Sequence, residues 1–160
     1  MRRTVRRRKR GCMGQRAGIS HAAAGPRLIR VPELEYLVGL RVGQIRFGSG
    51  VALDLGSGPA GADPVAKLDA GPVKFESAGS IVEIAASEDV GSRFAPLLAL
   101  YRRAITSARV DEELSVLELV FETGDRLTAL PMPDVEGWQL TGPGDRFMVA
   151  VPGGEVATWG

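Results

Sequence analysis

The chain has 160 residues, 44% of them hydrophobic, and a formal charge of +1 that hides a division. Residues 1–30 hold ten Lys and Arg and no acid, whereas residues 31–160 hold ten bases against nineteen acids, a formal −9. The only cysteine and the only histidine, Cys12 and His21, both fall in the basic segment, so the acidic body lacks the side chains needed for His or Cys zinc sites, Cys–His or Ser–His nucleophiles and imidazole acid–base chemistry.

In the basic segment the arginine run leads into Gly11, Cys12, Gly14, Gln15 and Arg16 rather than into the apolar stretch of about 7–15 residues that a secretion signal requires. Three readings of residues 1–30 stand open: an unstructured arm for nucleic acid or anionic surfaces, a transit-type peptide, or sequence upstream of a start at Met13. Residues 35–160 have the length of one domain, enough to bury a core without disulfides or metal. The longest apolar run, Phe94–Leu100, is interrupted by Pro96 and is far shorter than the roughly 20 residues that span a bilayer. A soluble, cytoplasmic protein that binds no membrane is expected, and no nucleic-acid partner is expected for the acidic body.

From Arg41 on, short apolar runs alternate with Gly-rich punctuation, the spacing of antiparallel hairpins rather than of strands joined by helices. The pattern predicts strands at 41–47, 51–55, 65–69, 73–77 and 81–84, with reversals at Gly48-Ser49-Gly50 and Ala78-Gly79-Ser80. Phe94, Leu97, Leu98 and Tyr101 follow at i, i+3, i+4 and i+7, and predict one clear helix over 92–103, with Ser92 as N-cap and Arg102 and Arg103 at its end. A weaker helical turn is expected at Glu33–Val38. Further strands are predicted at 105–110, 116–122, 126–130, 136–140, 146–151 and 155–159. In the 116–130 hairpin Leu117, Leu119 and Phe121 should share a face with Leu127 and Ala129, leaving Glu118 and Glu122 outside. Phe147–Val151 is apolar at every position and reads as a central, doubly covered strand. The fold class is therefore α+β, rich in antiparallel β-structure.

Two stretches suggest an internal duplication. Val42-x2-Ile45-Arg46-Phe47 followed by Ala52-Leu53-Asp54-Leu55 is similar to Ile105-x2-Ala108-Arg109-Val110 followed by Val116-Leu117-Glu118-Leu119, and each follows a short helical or apolar segment.

One segment imitates cofactor chemistry. Val51-Ala-Leu-Asp-Leu-Gly-Ser-Gly-Pro-Ala-Gly61 resembles the first motif of S-adenosylmethionine-dependent methyltransferases, in which a strand ending in an acid enters a Gly-rich turn. Its context fails: the turn leads to another strand instead of a helix, the second acidic strand end is missing, and too little chain follows for a doubly wound sheet. No cofactor and no metal are expected. Asp111-Glu112-Glu113 lacks the alternating ligand spacing of a calcium loop and reads as a solvated turn. Glu118 with Glu122 reads as the polar face of a strand, not as an acid–base pair. These five acids, with the tryptophans Trp138 and Trp159, are the candidate partner-binding residues, although burial is the default for a tryptophan.

The segments Phe94-Ala-Pro-Leu-Leu-Ala-Leu, Phe121-Glu-Thr-Gly-Asp-Arg-Leu, Glu136-Gly-Trp138-Gln-Leu-Thr-Gly-Pro-Gly144 and Val151-Pro-Gly-Gly-Glu-Val-Ala-Thr-Trp159, with Gly71-Pro72, resemble an uncharacterised actinobacterial domain family of unknown function. That family ends in a Trp-x-Leu-Thr-Gly-Pro-Gly…Pro-Gly-Gly-x-x-Ala-x-Trp pattern. The resemblance covers roughly 35–160 and departs at Val135, where an aromatic residue is expected. It implies no activity. The functional expectation is a non-catalytic binding protein, most concretely an immunity-type inhibitor of a cationic toxin. A structural or regulatory interaction domain is the alternative, and a methyltransferase a remote third.

No apolar period precedes Leu28, so a chain beginning at Arg30 should unfold at the same midpoint as the full chain. A midpoint lower by several degrees would show that residues 1–29 pack on the body.

Overall fold

The computed structural model describes residues 33–56, 63–86 and 92–160. The basic segment with Cys12 and His21, and the glycine turn at 57–61, lie outside the described residues. Eleven strands form two antiparallel sheets: β1 (Val42–Phe47), β2 (Val51–Leu55), β3 (Ala66–Ala70), β4 (Val73–Ser77), β5 (Ser80–Ile84), β6 (Ile105–Asp111), β7 (Val116–Phe121), β8 (Arg126–Ala129), β9 (Trp138–Thr141), β10 (Phe147–Val151) and β11 (Glu155–Trp159). The first sheet runs β1-β2-β3-β9-β10-β11 and the second β5-β4-β8-β7-β6. Each predicted strand is present to within two residues. Period-two alternation places Leu53, Leu55, Leu68 and Leu140 of one sheet and Val73, Phe75, Leu117, Leu119 and Leu127 of the other in a single buried core. Leu117 pairs with Ala129 and Leu119 with Leu127, as the alternation requires. The β4–β5 reversal is a two-residue turn with φ of 46° at Ala78 and 80° at Gly79, the mirror-image turn that suits strand twist.

The helical expectation is corrected in kind. Ser92–Leu100 is a 3-10 helix, and the side chains it buries are Phe94, Leu97 and Leu100. Three residues per turn select i, i+3 and i+6. Leu98 and Tyr101, which an α-helical period would have turned inward, are exposed. A shorter 3-10 turn, Glu35–Leu37, precedes β1. The expectation for β10 is corrected in place: it lies between β9 and β11, next to the sheet edge. Met148 and Ala150 face the core, and on the other face Val149 is buried and Phe147 and Val151 are half-buried, so the strand is covered on both sides as its sequence predicts.

The duplication is visible in the backbone. Leu34 and Leu37 are buried ahead of β1 as Leu97 and Leu100 are ahead of β6. Gly39 and Arg102 both have positive φ, at 88° and 62°. The amide of Gly39 donates to Ile105 O and that of Arg102 to Val42 O, each at 2.8 Å; Val42 N to Arg103 O and Ile105 N to Leu40 O form a second matched pair. These bonds surround a single bridge between the equivalent residues Arg41 and Ala104, so that bridge sits on a local pseudo-twofold axis. Both following strands carry a bulge at the same place, between Val42 and Gln44 and between Ile105 and Ser107. Both hairpins carry the same cross-strand ion pair, Arg46–Asp54 and Arg109–Glu118, each at 2.8 Å.

The two halves exchange strands. β1–β2–β3 builds one sheet and β6–β7–β8 the other. After its third strand each half crosses over, so that β4 pairs with β8 and β9 pairs with β3. The crossing segments hydrogen-bond directly, Gly71 N to Gly137 O at 2.8 Å and Leu130 N to Pro72 O at 3.0 Å. A Cβ on Gly137 would lie 2.6 Å from Leu130 O and 2.6 Å from Pro131 Cα, both backbone atoms. Only glycine fits without displacing the main chain.

Gly137→Ala is therefore expected to cost about 1–3 kcal/mol or more, the range of overpacking in a tight site. Gly48→Ala, whose added Cβ would meet nothing within 4 Å, should cost less. Chemical denaturation of the two variants checks the order, and equal midpoints would refute a crossing sealed by close approach.

Candidate functional site

The candidate residues separate into three groups. Glu118 and Glu122 lie on the outward side of β7 and just beyond it, and both are bound internally. Arg109 and Arg126 converge on Glu118 at 2.8 and 3.4 Å. Arg41 reaches Glu122 Oε1 at 2.9 Å and also donates to Arg102 O at 2.8 Å. A hydrogen bond from the Ala104 backbone, reinforced by Arg41, holds the Glu122 carboxyl below the usual carboxylate range. This acid fastens the pseudo-twofold corner.

Trp138 belongs to the core. Its ring is 1% exposed and its indole N–H donates to Ser115 O at 2.8 Å. A large aromatic side chain satisfies its one donor on backbone in this way, and its burial removes it as a docking side chain. The bond ties the β6–β7 turn to the chain entering β9. Trp159, in contrast, is 56% exposed and tilts against Phe147 with ring centroids 5.4 Å apart.

Asp111, Glu112 and Glu113 begin the β6–β7 turn. Asp111 accepts the Leu114 amide at 3.1 Å, which braces the turn and leaves Glu113 and Leu114 exposed, Leu114 at 64%. Through Trp138 this turn shares one end of the sandwich with residues 131–137, where Asp134, Val135 and Glu136 are exposed. A cleft of about 560 Å³ opens at this end between the β1–β2 turn, the Ala70–Gly71 crossover and residues 132–137. Phe47, Met132 and Val135 give it apolar walls, and Asp69 and Glu136 lie on its lining. Asp69 is paired with Lys67 at 2.8 Å, and Gln139 donates to Glu136.

The Trp138–Ser115 bond thus ties the turn of Asp111, Glu112 and Glu113 to the segment of Asp134 and Glu136, whereas arginines answer the charges of Glu118 and Glu122. Sequence reasoning missed Asp134, Val135 and Glu136. The signal available was an aliphatic residue next to acids, Leu114 after Glu112-Glu113 and Val135 between Asp134 and Glu136.

The methyltransferase-like segment has another context. β2, which carries Asp54, runs antiparallel to both β1 and β3, and the Asp54 carboxylate is held by Arg46. The parallel sheet on which that motif depends is not the setting of these residues. Among the described residues no group of three or more His, Cys, Asp or Glu is arranged to hold a metal ion, and no helix is long and apolar enough to cross a membrane.

Residues 34–160 match the profile of a family of unknown function, DUF6188, and the chain belongs to that family. No curated protein and no solved structure matches it.

The depressed Glu122 carboxyl makes a signed prediction. A group whose folded pKa lies below its unfolded value adds stability above the unfolded pKa and loses it as pH falls through the folded one. The full chain should lose stability below about pH 4.5 more steeply than Glu122→Gln, which has no such proton to take up. Parallel pH profiles of the thermal midpoint would refute a stabilising role for the Arg41–Glu122 pair.

Proposed function

We propose that this family member is a non-catalytic binding protein that docks a cationic protein with the end of the sandwich carrying Asp111, Glu112, Glu113, Asp134 and Glu136. The supporting observation is the Trp138–Ser115 bond, which ties the acidic β6–β7 turn with its exposed Leu114 to the segment that carries the exposed Val135 and lines the cleft. Carboxylates gathered at one end speed encounter with a basic surface, and aliphatic anchors supply the desolvated contact that holds a complex once formed. The brace between Trp138 and Ser115 presents the turn without an ordering cost at binding. The concrete form of this reading is an immunity-type inhibitor, because toxins that act on nucleic acid are themselves basic enough to bind phosphate.

A labelled nonaarginine peptide tests it on the full chain. Neutralising the five acids to Asn and Gln should weaken binding at least about tenfold, in line with electrostatic steering, while leaving the unfolding midpoint nearly unchanged, since exposed sites contribute within about 0.5 kcal/mol each. Glu35→Gln with Asp145→Asn, at the opposite end, should bind like the parent. Equal losses in both variants would refute an end-specific site.

A further inference from the structure

Two of the four sheet edges are joined to each other. β1 and β6 carry their bulges near their starts and are bridged to each other through Arg41 and Ala104. β5 is packed by the 3-10 helix Ser92–Leu100. β11 carries no bulge and takes part in no isolated bridge among the described residues. It pairs with β10 from Phe147–Trp159 to Val151–Glu155 without a register shift, and its principal contacts are with β10. Its sequence, Glu155-Val-Ala-Thr-Trp159, contains neither Pro nor Lys, so it lacks the usual devices that stop an edge from pairing. It is also the strand with no counterpart in the first half of the duplication, where β5 occupies the place of β10.

A second observation concerns the outer face of the same sheet. Residues directly opposite in a ladder share a face, so Phe147, Val149 and Val151 lie with Trp159, Ala157 and Glu155. This face points away from the core that receives Met148 and Ala150. Towards β1–β3 the outer face is charged, with Arg46, Asp54, Lys67 and Asp69. Over β10 and β11 it is apolar apart from Glu155. The β11 edge and an apolar face exposed at Trp159 therefore coincide.

We propose that β11 pairs antiparallel with β11 of a second copy, joining two six-stranded sheets into one continuous sheet. The strand suits itself as a partner. Antiparallel pairing of identical strands closes on a twofold axis and consumes the open edge, so assembly stops at the dimer. Pairing centred on Ala157 sets Glu155 opposite Trp159 of the second copy, so the strand's one charge meets no like charge. Two Phe147–Trp159 pairs then cover opposite ends of the new junction, where Trp159 is now 56% exposed.

Two measurements on the full chain decide it. In sedimentation equilibrium the chain should form a dimer at about 100 µM, within the range of weak specific interfaces, and Ala157→Lys should raise the dissociation constant at least about tenfold through like charges brought together on the axis. In a Cys12→Ser background a single cysteine at Ala157 should oxidise to covalent dimers, and single cysteines at Val156 and Thr158 far less, since only the residue on the axis opposes its own copy within disulfide reach. A cysteine at Ile81 on the β5 edge should not. The cysteine scan carries the decision if a lysine variant fails to fold. A monomer at that concentration, a dimer indifferent to Ala157→Lys, or cross-linking at Ile81 equal to that at Ala157 would each overturn the proposal.

Discussion

Two connections must pass each other for this sandwich to exist. The chain leaves the first sheet through Gly71-Pro72 and re-enters it through Gly137, and the two segments hydrogen-bond where they cross. Backbone atoms approach so closely there that a side chain on Gly137 has no room. Because β4 and β9 each complete the opposite half's sheet, neither half can bury its apolar face alone. Cohesion of the whole core passes through that crossing, together with the corner at Arg41 and Ala104.

The charges divide according to this architecture. In the two duplicated hairpins the outward acid meets an arginine of the neighbouring strand, as in Arg46–Asp54 and Arg109–Glu118. Exposed pairs of this kind contribute little individually. They nevertheless neutralise the faces of the hairpins, so the body's acidity is expressed at turns and loops, where no cross-strand neighbour exists. Asp111–Glu113 and Asp134–Glu136 share one end of the sandwich for that reason. The edge strand β11 carries a single charge, Glu155, which gives the molecule two chemically unlike surfaces.

Much was legible in the sequence. Alternation of apolar residues and glycine turns located all eleven strands, because period two is a local property of the pleated chain. The similarity of Val42–Leu55 to Ile105–Leu119 disclosed the duplication, and the absence of His and Cys from the body was plain by inspection. Apolar spacing found the segment at Ser92–Leu100 but not its pitch. Phe94 and Leu97 fit both helical periods, and packing against the core chose Leu100 over Leu98 and Tyr101.

Tertiary structure decided the remainder. Nothing local to Glu118 or Glu122 distinguishes a solvated carboxylate from one held by arginines eight or more residues away, since the partners Arg109, Arg126 and Arg41 arrive through sheet register and the twofold corner. Trp138 and Trp159 occupy similar contexts in sequence, yet one is sealed on Ser115 O and the other stands at an open edge. The strand exchange itself left no mark on any short segment. Which sheet a strand joins is fixed by long-range pairing through a crossing only glycine permits, and the amino-acid order by itself determined the strands, their faces and their repetition, but not that exchange.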